Sequence, residues 1–94
     1  MAGERIAFRV HALQRMFERR IGEEEVRRVL QVGETIERYP DDRPYPSRLV
    51  VGWAEQRPLH VVVADHAEEH MLIVITVYEP DPASSASDFK RRRR

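Results

Sequence analysis

Ninety-four residues suit one small domain, and a chain this short buries only ~60–65% of its unfolded surface. It has no cysteine, which excludes a disulfide framework and a thiolate zinc site. The formal net charge is zero, but Lys90 to Arg94 supply five of the sixteen basic residues, so residues 1–89 hold eleven basic against sixteen acidic, a net of −5.

An acidic body with a basic tail has the asymmetry of a chain that meets nucleic acid or an acidic protein; a solvated tail with no partner has the same composition. The longest apolar run, Met71 to Tyr78, is eight residues, against the ~20 that span a bilayer. The start MAGERIAFRV lacks the apolar stretch of a signal peptide. A soluble cytoplasmic protein with no membrane partner is expected.

In chain order, Ile6 to Val10 is either a short leading strand or an irregular lead-in. A helix is expected from about His11 to Arg20, with Leu13, Met16 and Phe17 as its apolar stripe. At 100° per residue His11, Arg15 and Glu18 lie together on its opposite side. Arg19 and Arg20 close the helix, where positive charge complements its dipole. Gly22 interrupts. A second helix runs from about Glu23 to Val32, with Val26, Val29 and Leu30 as its stripe and glutamates at its positive end. Glu23 with Arg27, and Glu24 with Arg28, have i,i+4 spacing. Gly33 is the expected stop.

Strands take over from there. Glu34 to Tyr39 reads as an edge strand, and "PDDRPYP" as a loop, because its prolines cannot join a ladder. Arg48 to Trp53, Leu59 to Ala64 and Met71 to Tyr78 read as further strands, joined by "AEQR" and "DHAEEH". Pro80 and Pro82 end the last one. "PASSAS" reads as a linker to Phe89 and the basic run. The expected organisation is one domain over residues 1–82 and a basic tail over 83–94.

A one-residue slip would exchange a strand's two faces, so the register decides what each face carries. With Leu59 opposite Val77 and Val61 opposite Val51, one face collects Leu49, Val51, Trp53, Leu59, Val61, Val63, Met71, Ile73, Ile75 and Val77, and should pack on the helices. The other collects Arg48, Val50, Gly52, His60, Val62, Ala64, Leu72, Val74, Thr76 and Tyr78. The expected architecture is α+β, two N-terminal helices packed on one face of an antiparallel sheet of about four strands.

"HALQRMFERRIGEEEVRRVL", "YPDDRPYPSRLVVGW", "RPLHVVVA" and "IVITVYEPDP" together resemble the family catalogued as domain of unknown function 4258, from about Phe8 to Pro82. That family is distantly similar to small toxins of the RelE, ParE and BrnT type, which have two N-terminal helices against a small antiparallel sheet. The resemblance implies the toxin of a bacterial toxin–antitoxin pair. Its partners would be a cognate antitoxin and ribosome-bound messenger RNA, which it would cut as an endoribonuclease. The alternative is a non-catalytic protein-interaction module of the same fold.

RNA cleavage by its own 2′-hydroxyl needs a base, an acid and positive charge on the phosphate. Histidine suits proton transfer near neutrality. His60 is the candidate base, Arg48 the phosphate clamp and Tyr78 the proton or hydrogen-bond donor, all on the face away from the helices. The competing reading makes His60 a half-buried sheet residue bonded to Thr76 or Tyr78. His11 and Arg15 would hold phosphate, or else His11 caps the helix start while Arg15 pairs with Glu18. Lys90 and Arg91 open the basic run, which would bind phosphate by counterion release. "HAEEH" departs from the zincin pattern, since Ala67 takes the glutamate's place and the segment joins strands. A polar turn is expected there, with no metal or other cofactor.

Overall fold

The computed structural model describes residues 5–80. Strand β1 (Arg5–Phe8) leads into helices α1 (Val10–Arg19) and α2 (Glu23–Val32), and then come strands β2 (Glu34–Tyr39), β3 (Ser47–Ala54), β4 (Arg57–His66) and β5 (Met71–Tyr78). A short 3₁₀ turn, Ala67–Glu69, joins β4 to β5. The sheet has five strands in the order β1-β5-β4-β3-β2. The α+β class and the helices on one face agree with the pattern of the sequence. The sheet is mixed, however: β1 is a genuine strand and pairs parallel to β5, Arg5 opposite Met71 and Phe8 opposite Val74.

The helix ends follow local chemistry. Arg20 closes α1 in the left-handed conformation (φ 57°), and the Ile21 N–H returns to the Met16 carbonyl at 2.8 Å, satisfying a carbonyl that the helix leaves unpaired. At the start of α2 the Glu25 carboxylate accepts the Gly22 N–H at 2.8 Å, half of a capping box. Arg57, at the start of β4, locks the two helices to the sheet. Its guanidinium donates to the Arg19 carbonyl at 3.1 Å, the Arg20 carbonyl at 2.9 Å and the Glu25 carboxylate at 2.9 Å. The expected pairs Glu23–Arg27 and Glu24–Arg28 are not among the ion pairs of the described residues; Glu25 with Arg57 is. Arg27 lies over the Phe8 ring instead, 5.9 Å from its centre.

Three face assignments differ from the sequence reading. On α1 the buried residues are Ala12 and Met16, while Leu13 and Phe17 face outward at 41% and 86% exposure beside Val10 at 71%. Small Ala12 lies against the sheet, and the bulkier flank is turned away. On β3 the register places Val50, not Val51, opposite Val61. Ala54 pairs with Arg57, so the turn is Glu55-Gln56, with Glu55 at φ 60°. That two-residue turn shifts the pairing by one and turns Arg48, Val50, Gly52 and Ala54 toward the helices.

The third change lies in β5. Val62 pairs with Thr76 but Val63 with Val74, so Ile75 is an extra residue. A bulge reverses the alternation beyond it. Leu72 and Val74 therefore enter the core, and Met71 and Ile73 move to the opposite face. The β4 assignment holds: Leu59, Val61 and Val63 join Val26, Val29, Met16, Val50, Val74 and Val77 in one buried cluster.

Glycine fixes how closely α2 approaches. A Cβ on Gly52 would meet Val29 at 3.0 Å, and one on Gly33 would meet the Val29 and Val51 carbonyl oxygens at 2.4 and 2.6 Å. Backbone cannot yield to it as a side-chain tip can. Gly33→Ala is expected to destabilise the fold by about 1–3 kcal/mol, read as a lower urea midpoint. Arg57→Ala is expected to cost about 1.5–3 kcal/mol in the same assay, because it leaves two helix-end carbonyls and a carboxylate without their cation. Arg57→Lys should recover little, since an ammonium cannot fork across three acceptors.

Candidate functional site

Beyond Val74, β1 no longer borders β5, and the Arg9 N–H makes the last bridge to the Val74 carbonyl at 3.0 Å. The chain then turns into α1, which runs along β5. A cleft of about 370 Å³ opens between them, lined by His11, Arg15, Arg19, Thr76, Val77, Tyr78 and Glu79. The three α1 residues are spaced i, i+4 and i+8, so they line one side of the helix. Their side chains are exposed, and Thr76 and Tyr78 are partly buried. Arg15 also pairs with Glu18 at 3.6 Å, with both groups about half exposed, so the pair holds the guanidinium only weakly.

Tyr78 connects the cleft to the sheet interior. Its hydroxyl lies 3.3 Å from Nδ1 of His60, and the two rings meet edge-on with centres 5.2 Å apart. The two residues face each other in the ladder, which is why they touch. His60 is only 1% exposed. Its contact with the Tyr78 hydroxyl can fix the phenol's orientation.

Arg48 does not belong to this site. The β3 register turns it to the helix side of the sheet, opposite Val63, whereas His60 and Tyr78 point the other way. Its guanidinium donates to the Asp65 carboxylate at 3.1 and 3.2 Å and to the Thr35 hydroxyl at 3.1 Å. That is a structural tie across β2, β3 and β4. His11 has the helical position read from the sequence but does not cap α1, whose N-cap is Arg9 without a side-chain bond. Arg19, whose charge complements the α1 dipole, also lines the cleft, and its i+4 spacing from Arg15 is the sequence signal that it belongs with His11 and Arg15.

Lys90, Arg91, Phe89 and the "PASSAS" linker lie outside the described residues. In "DHAEEH", Asp65 serves Arg48, and His66 stacks on Tyr45 with ring centres 4.2 Å apart. A larger groove of about 1020 Å³ runs between α2 and the end of β3, past Glu24, Arg27, Arg28 and Trp53. Its cations are interleaved with Glu24, Glu25, Glu34 and Glu55, and no histidine or tyrosine lines it. The smaller cleft is the better chemical candidate, because a histidine and two arginines line it together with Thr76 and Tyr78.

The model of a family described as domain of unknown function (DUF4258) matches residues 8–79, from the end of β1 to the residue after β5. No curated protein and no solved structure matches the chain.

Two substitutions separate structural from site roles. Arg48→Ala is expected to lower stability by about 1 kcal/mol, the ordinary worth of a part-exposed ion pair with hydrogen bonds, and to leave ligand binding at the cleft unchanged. Tyr78→Phe removes the contact with His60 Nδ1 and is expected to cost about 0.5–1.5 kcal/mol in thermal unfolding, with the His60 ring resonances shifted in NMR spectra.

Proposed function

We propose that this chain, which belongs to the DUF4258 family, is the toxin of a toxin–antitoxin pair that cuts messenger RNA at the ribosome, using the cleft between α1 and β5. The observation that carries this reading is the convergence of His11, Arg15 and Arg19 with Thr76 and Tyr78 around one opening. Arg15 and Arg19 hold the two non-bridging oxygens of a phosphate, for which guanidinium is suited. The His11 imidazole takes the proton of the attacking 2′-hydroxyl. The new 2′-oxygen–phosphorus bond closes a 2′,3′-cyclic phosphate as the 5′-oxygen bond breaks, and the Tyr78 phenol gives that oxygen its proton. His60 positions the phenol. No metal or cofactor enters the scheme.

A second reading has its own observation. Val10, Leu13 and Phe17 form an exposed apolar stripe on α1, the kind of surface that meets a protein partner. In the toxin reading this stripe receives the antitoxin; in the alternative it is the whole function, and the chain is an interaction module.

Induced expression in bacteria distinguishes the two. Wild type is expected to arrest growth and to create new 5′-hydroxyl ends in cellular RNA. His11→Ala is expected to reduce cleavage about 10²-fold or more, the usual worth of a general acid or base, with the protein still folded. Arrest and RNA ends that persist in His11→Ala and Tyr78→Phe would remove the cleft from the mechanism. Normal growth with intact RNA on wild-type expression would overturn the toxin reading and leave the α1 stripe as the functional surface.

A further inference from the structure

Helix α1 turns three large apolar side chains to solvent: Phe17 is 86% exposed, Val10 71% and Leu13 41%. At 100° per residue they fall within an arc of about 60°, centred about 170° from Arg15. The stripe thus lies on the flank away from the cleft. α1 packs on β5 and α2 on β3, and Ala12 and Met16 are the α1 residues that the core takes. Phe17 therefore contributes little to the fold, while a cluster of exposed apolar side chains marks a surface that meets something. Their spacing, 10, 13 and 17, is the a–d–a step of a heptad, the seam that a second helix fills. The charge around the seam is largely of one sign. Residues 9–20 carry four arginines against Glu18 alone, in a chain whose residues 1–89 hold eleven basic against sixteen acidic residues. Arg9 stands four residues before Leu13 and Arg20 three after Phe17, so an exposed cation flanks each end of the stripe. Among the described residues neither is in an ion pair, whereas Arg15 has Glu18.

The geometry points to an acidic amphipathic helix of a partner protein as the occupant of the α1 stripe. Its apolar a and d side chains pack on Val10, Leu13 and Phe17, and carboxylates on its flanks meet Arg9 and Arg20. A second copy of this chain fits poorly. Antiparallel α1 helices set Arg9 of one copy against Arg20 of the other, and parallel ones set like ends together, so cation meets cation in both. A bilayer surface fits poorly too, because peripheral binding grows with apolar area and two turns of helix supply only three such side chains. The inference deepens the partner half of the proposed function; it rests on the stripe being an interaction surface and not on RNA cleavage. Because the cleft is on the other flank of α1, a helix seated on the stripe leaves His11, Arg15 and Arg19 uncovered.

A displayed library of helical peptides of about three heptads, with Leu at a and d and random residues elsewhere, tests this on the full chain. Wild type is expected to enrich Asp and Glu at the e and g positions. Arg9→Glu combined with Arg20→Glu is expected to turn that preference toward Lys and Arg, a change that a general loss of stability cannot produce. Phe17→Ala is expected to weaken binding of the enriched acidic peptide by about tenfold or more, with the urea midpoint unchanged. No enrichment, enrichment without a charge preference, or an affinity indifferent to Phe17→Ala would overturn the proposal. So would a dimer in sedimentation that Phe17→Ala dissociates, binding to phosphatidylserine–phosphatidylcholine vesicles that Phe17→Ala abolishes, or displacement of the acidic peptide by single-stranded RNA. Those results would assign the stripe to a second copy, to a lipid surface or to nucleic acid.

Discussion

The candidate site depends on the grip of Arg57. Its guanidinium holds the two carbonyls that end α1 and the carboxylate that begins α2, all within 3.1 Å. Ala54 and Arg57 flank the turn between β3 and β4. The last turn of α1 is thereby fixed beside the end of the sheet where β5 finishes. Arg19 follows directly, because its own carbonyl is one of those held. His11 and Arg15 follow from the helix, and the cleft against Thr76 and Tyr78 is the consequence. A cation that satisfies helix-end carbonyls acts with the dipole as well as through its hydrogen bonds.

Packing of α2 imposes the second constraint. Gly33 and Gly52 let Val29 approach β3 so closely that a methyl group would collide with backbone oxygens or with Val29. Gly52 can serve only if it faces the helix, and the Glu55-Gln56 turn is what brings it round. Arg48 shares that parity and is drawn away from His60 into its tie with Asp65 and Thr35. One turn length thus separates a residue that looks catalytic from the site.

His60 and Arg48 illustrate how chemistry and location part company. Each side chain could take part in phosphate chemistry. His60 is enclosed and touches the Tyr78 hydroxyl, while Arg48 is a tie between strands. By contrast, His11 and Arg15 sit on an ordinary amphipathic helix, and become a candidate site only because β5 ends next to them without β1 on its flank.

What the sequence determined by itself was the local part. Periodicity, glycine and proline placed α2, β2 and β5 at their observed bounds, and the β4 alternation put Leu59, Val61 and Val63 in the core with His60 opposite. These are properties of a few neighbouring residues, and near-neighbour patterns carry them. The resemblance to the family, which its model matches over residues 8–79, was also legible there. What only the tertiary structure decided was parity and proximity. The turn at Glu55-Gln56 and the extra residue at Ile75 each reverse a face, and apolar residues on both sides of β3 and β5 give either choice the same hydrophobic pattern. Which flank of α1 is buried depended on what Ala12 could approach. Arg57 was a turn residue until two helix ends were brought to it. Contacts between residues dozens of positions apart leave no periodic trace, which is why the cleft appears only once the chain is folded.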